Sequence, residues 1–115
     1  AAYPEMALTG PAAGLVPRAV GSLANCSGGR TPWFTALSCE ENFEDYHGGF
    51  GVSTGIGYQW DDVPEMKLDL RQYGWVMEVD PFGELPPVKH TALGRFAHEN
   101  AAWRLGPTGR LVIYM

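Results

Sequence analysis

Cys39 closes the apolar run Thr35-Ala36-Leu37-Ser38 and is followed at once by Glu40, Glu41 and Asn42. A thiol next to two carboxylates joins a soft ligand to hard ones, a combination that suits a mixed sulfur–oxygen metal centre. It does not suit a nucleophile, because nearby negative charge raises a thiol pKa and opposes the thiolate. A bound cation reverses that balance by deprotonating the thiol and neutralising the carboxylates together.

Further candidates surround this motif. Glu40, Glu41, Glu44 and Asp45 form an acidic cluster, whose alternative reading is a solvated loop face. If the strand persists, its pleat sends Cys39 and Glu41 to one face and Glu40 to the other. His98-Glu99 opens the run Asn100-Ala101-Ala102-Trp103, where a carboxylate needs a cation or an arginine as partner, unless it stays in water. The expected metal ligands are therefore Cys39, Glu40, Glu41 and Glu99. His47 and His90 read as surface histidines, and Cys26 as a small, buried, inert thiol. Trp33, Phe34, Trp75, Phe82 and Trp103 read as core. No GxSxG elbow, HExxH helix motif, phosphate loop or CxxC occurs. The Gly-rich stretch from Gly51 to Gly57 lacks a strand-to-helix context, so it is not read as a nucleotide motif.

The elements that must position these residues are short strands. The chain has 115 residues, 45% of them hydrophobic, with 15 Gly and 9 Pro, which points to one turn-rich all-β domain. A formal net charge of −5 argues against a nucleic-acid partner. No apolar run approaches the roughly 20 residues of a membrane span, and no signal-peptide pattern opens the chain. Residues 1–18 read as an irregular lead-in and 19–42 as a hairpin turning at Ser27–Pro32. Residues 43–72 read as a long Gly-rich loop with a short helix near Met66–Gln72, and 73–115 as a four-stranded blade. With the turn near Gly29-Arg30, Cys26 and Cys39 would lie roughly 17 to 20 Å apart along the ladder, too far for a disulfide. The alternative is a small domain stapled by Cys26–Cys39. The chain starts at Ala1 and stops inside the apolar run Leu111–Met115, so it is expected to be a piece of a longer protein.

Several segments occur in a telling order. They are Asn25-Cys26-Ser27-Gly28-Gly29, Thr31-Pro32-Trp33, Ser38-Cys39-Glu40-Glu41-Asn42, Tyr73-Gly74-Trp75-Val76, Glu78-Val79-Asp80-Pro81-Phe82, Thr91-Ala92-Leu93-Gly94-Arg95-Phe96 and His98-Glu99. Together they resemble the PhoX-type alkaline phosphatases over nearly the whole chain. That resemblance implies a partial β-propeller of about one to two blades, a phosphate monoester substrate, and iron and calcium as cofactors. It implies export to the periplasm or beyond, with the remainder of the propeller or another copy of the chain as partner. In the family a cysteine thiolate bridges the irons, and Cys39 is the position that the resemblance assigns to it, with Glu40, Glu41 and Glu99 beside it. Phe34 departs from the small residue more usual after Trp33. The rival reading is a non-catalytic propeller relative that binds or supports other molecules.

Overall fold

Alternation of apolar and polar residues sets the first strand. In Glu5-Met6-Ala7-Leu8-Thr9, Met6 and Leu8 are buried while Glu5 and Ala7 face water, the period of two that a half-covered sheet requires. The computed structural model describes residues 5–16, 18–46 and 69–115. Among them the elements are strands β1 (Glu5–Thr9), β2 (Arg18–Val20), β3 (Asn25–Arg30), β4 (Ala36–Glu40), β5 (Val76–Val79), β6 (Val88–His90), β7 (Ala102–Leu105) and β8 (Leu111–Tyr114), with three single 3₁₀ turns. The first six strands form one sheet in the order β2-β1-β6-β5-β4-β3, and β7 pairs with β8 separately. All pairings are antiparallel except β1 with β6, which are distant in sequence and so can meet in parallel. The protein is all-β, and no helix among the described residues is long and apolar enough to cross a membrane.

Among the described residues the core is divided into three small clusters rather than one. Leu8, Val16, Ala19 and Trp75 make the first, Leu37, Cys39, Val76 and Ala101 the second, and Leu23, Phe43 and Tyr73 the third. The second lies where β4 and β5 pair through Cys39 and Val76, and Ala101 covers it just before β7.

Several boundaries differ from those the sequence suggested, each for a physical reason. Ser27 to Arg30 is strand, not turn: Gly28 pairs with Ser38, Gly29 with Leu37 and Arg30 with Ala36. The two glycines serve close approach. A Cβ at Gly28 would lie 1.9 Å from the Leu37 carbonyl oxygen, and one at Gly29 would lie 2.0 Å from that of Ala101. The chain reverses instead over residues 31–35, where the Thr31 and Thr35 hydroxyls meet at 2.7 Å and Phe34 adopts a φ of 71°. The register breaks between Asn25, opposite Glu40, and Gly28, opposite Ser38, so Cys26 and Ser27 together face Cys39 across a bulge. The cysteines are thus near each other along the ladder, which overturns the separation argument. Both are free: Cys39 is buried and Cys26 is exposed, not buried as expected.

The expected blade over 73–115 is divided. β5 and β6 are inserted between β4 and β1 in the large sheet, because β6 offers its second edge to β1 from the supposed lead-in. Asp80 caps its own turn, accepting N–H bonds from Phe82, Glu84 and Leu85. Trp75 is buried as a core residue, but Trp33, Phe34 and Phe82 are exposed because they sit on turns beyond the sheet. Residues 47–68, which hold His47 and the Gly-rich stretch, lie outside the described residues. Of the short helix, the described part is a 3₁₀ turn, Leu70–Gln72, begun by Asp69.

Candidate functional site

The end of β4 carries the motif, and its two faces separate the neighbours sharply. Cys39 is fully buried against Leu37, Val76 and Ala101, and burial first, then the adjacent Cys26, pushes its thiol up to about 11.

Glu40 is also fully buried, and both of its carboxylate oxygens are engaged. Oε1 accepts the Leu23 N–H at 2.9 Å and the Lys89 ammonium at 2.7 Å, while Oε2 accepts the Trp75 N–H at 3.0 Å. Lys89 points inward from β6, is itself fully buried, and also donates to the Gln72 carbonyl at 2.9 Å. The ammonium lies 4.6 Å from the centre of the Tyr73 ring, a cation–π contact. Withdrawing two such ions from water costs several kcal/mol each, so the pair persists only because every donor and acceptor is matched. Burial pulls the Lys89 pKa down, and the Glu40 charge opposes that pull. The same charge, after burial, helps push the Tyr73 hydroxyl up to about 12.

Cys26 has the opposite surroundings. It is exposed, and its pKa is raised above the ordinary thiol value by a hydrogen bond to Glu41, then slight burial, then the charges of Glu41 and Glu99. Glu41 is held by its N–H, which donates to Ala24 at 3.0 Å. Glu99 is exposed, and its carbonyl accepts the Ser27 N–H at 2.9 Å. The bulge in β3, the residue after β4 and the segment before β7 therefore bring Cys26, Glu41 and Glu99 to one exposed place. Glu41 and Glu99 lie within electrostatic range of Cys26, while Cys39 sits next to Cys26 but is buried, and Glu40 is buried against Lys89.

This donor set, one thiol with two carboxylates, has the chemistry for a cation, because each member carries or can take a negative charge that a cation would stabilise. Among the described residues, however, no three His, Cys, Asp or Glu side chains are close enough to hold a metal ion unaided. Sequence reasoning missed Cys26 because Gly28-Gly29 was read as a turn. A glycine pair inside a strand also signals a bulge or a close backbone approach, and that reading would have exposed the thiol beside it. Lys89 was missed because a lysine between Val88 and His90 carries no mark of burial.

Two more polar groups lie outside this cluster. His90 is half-buried rather than on the surface, its Nε2 2.6 Å from Glu78 Oε2. Glu78 also accepts from Trp33 Nε1 at 2.6 Å and from the Thr35 hydroxyl. Although burial opposes it, these bonds from Thr35, Trp33 and His90 hold the Glu78 carboxyl below the usual range. The pair borders a cavity of about 250 Å³ whose walls include Leu37, Leu93, Trp103 and Ile113. His98 is buried, with Nε2 3.1 Å from the Gly94 carbonyl and Nδ1 without a partner.

Comparison with known proteins adds a family. A family model described as alkaline phosphatase PhoX matches residues 1–115. The chain is similar to the solved structure of Pseudomonas fluorescens PhoX in complex with vanadate, a transition state analogue. The TM-score is 0.76 at 34% sequence identity, covering 99% of this chain and 25% of that one. The chain thus spans about a quarter of that protein's length, and its sheet corresponds to part of a β-propeller. No curated protein sequence matches.

Proposed function

Since the chain belongs to the alkaline phosphatase PhoX family, we propose that it is one portion of an exported, metal-dependent phosphatase that hydrolyses phosphate monoesters. It contributes Cys26, Glu41 and Glu99 as ligands. The observation that carries this reading is the exposed Cys26 thiol beside the bulge that breaks the β3–β4 register, with the negative charges of Glu41 and Glu99 near enough to raise its pKa. The alternative thiol, Cys39, which the motif first suggested, is closed off by apolar side chains. Glu40, the other neighbour in that motif, already accepts three hydrogen bonds, from Lys89, Leu23 and Trp75.

Iron and calcium, the cofactors expected for the family, would offset the charge of the phosphate ester and orient or supply the attacking oxygen. The chain's own residues prepare for this. Glu41 and Glu99 place negative charge beside the thiol, so a cation is favoured where a free thiolate is not. The bulge in β3 turns Cys26 outward, away from the apolar cluster that holds Cys39. Because the donors here do not close a site unaided, turnover requires further ligands, and the chain by itself is inactive.

Anaerobic titration with Co²⁺ tests the reading, since thiolate coordination produces a charge-transfer absorption. Loss of that band in Cys26→Ala, with retention in Cys39→Ala, is the expected result. In the longer protein, Cys26→Ala should abolish hydrolysis of p-nitrophenyl phosphate. A longer protein that binds no cation and hydrolyses no phosphate monoester would instead support a non-catalytic propeller module.

A further inference from the structure

One buried residue, Glu40, lies at the root of all three arms that carry Cys26, Glu41 and Glu99, touching one through its carboxylate and the others through its backbone. Glu40 Oε1 holds the Leu23 N–H, and Leu23 begins the short segment that leads to Cys26. Glu40 itself precedes Glu41. The Glu40 carbonyl accepts the His98 N–H at 2.9 Å, and His98 precedes Glu99. The remaining bonds of Glu40 tie this junction to the sheet: Oε2 to the Trp75 N–H, the Glu40 N–H to the Trp75 carbonyl at 3.3 Å, and Oε1 to Lys89.

We propose that Glu40 is a positioning residue: clamped by Lys89, it sets the mutual placement of Cys26, Glu41 and Glu99 and does not itself ligate metal. The inference rests on reading those three residues as ligands. Its physical basis is that a fully buried carboxylate with three matched donors has essentially one low-energy arrangement, because any departure leaves a buried donor or a buried ammonium unpaired. The three arms inherit that rigidity because each donor lies only one to three positions along the chain from an anchored residue. Glu40→Gln keeps the volume but turns an amide NH₂ towards a donor, so the junction loosens from the inside.

Amide hydrogen exchange of the 115-residue chain without metal reads the effect directly. The amides of Ser27, Glu41 and His98 bridge the three arms through Glu99, Ala24 and Glu40 carbonyls. In Glu40→Gln their protection should fall at least tenfold, while the β4–β5 ladder keeps its protection. Unchanged protection at those amides, or an equal loss throughout the sheet, overturns the proposal. If that variant does not fold, Glu40→Gln/Lys89→Met removes the orphaned cation and carries the same readout. Co²⁺ affinity of folded Glu40→Gln should fall at least tenfold against the unmodified chain, and an unchanged affinity overturns the positioning role. Co²⁺ binding by the longer protein that survives Cys26→Ala unchanged overturns the ligand reading and with it any role of Glu40 toward metal, whereas a failure in the amide pattern alone strikes only Glu40.

Discussion

Cys26 and Cys39 show how little the residue type alone decides. Both are thiols at the same level of one strand pair, yet one faces water and the other a hydrocarbon cluster. In the native chain at mildly alkaline pH, a disulfide reagent should therefore label one thiol quickly. Mass spectrometry should place the label on Cys26, and Cys39 should react only after unfolding. Two fast thiols would contradict the burial. Glu78 makes a second case at this scale. Its folded-state pKa lies below the ordinary carboxylate value through bonds from Thr35, Trp33 and His90, against the upward pull of burial. Such a group adds stability above the unfolded-state value of about 4.3, and that stability drains as pH falls through the lower folded-state value. Glu78→Gln should thus cost about 2 kcal/mol at pH 7, the scale of bonds to a charged acceptor. It should also flatten the acid limb of a stability–pH profile measured by urea denaturation.

At the scale of elements, the pairing of β3 with β4 depends on two residues without side chains. Gly28 approaches the Leu37 carbonyl so closely that any Cβ forces the strands apart. Gly28→Ala should lose about 3 kcal/mol, the upper part of the range for overpacking. Gly14→Ala should change stability by less than about 0.5 kcal/mol, because nothing lies within 4 Å of its Cβ position. Thermal unfolding of both variants checks the contrast. The same strand pair explains why the turn could not be located by composition. Glycine permits a turn and also permits close packing, and the two uses look identical in a sequence. By contrast, β1 follows from the alternation of Met6 and Leu8, which was hidden only by the prolines and glycines around it.

At the largest scale, the described residues form three small clusters in place of one core, and several large apolar side chains remain exposed, including Leu105, Val112 and Tyr114 on β7 and β8. Among the described residues β8 pairs only with β7, which leaves its other edge open to pairing. The isolated chain should therefore self-associate as its concentration rises. Val112→Lys should reduce this association in sedimentation velocity runs, since a lysine on an edge strand opposes strand-to-strand contact.

The sequence by itself determined the all-β class, the family and the pool of chemically able residues, because these follow from composition, alternation and the order of short motifs. It named Glu41 and Glu99, which lie beside a thiol. Only the tertiary structure decided which thiol faces water, and that the buried partner of Glu40 is Lys89, 49 positions away. The reason is that burial and charge pairing depend on which segments become neighbours. A single bulge and an inserted strand pair, neither marked by residue type, chose those neighbours.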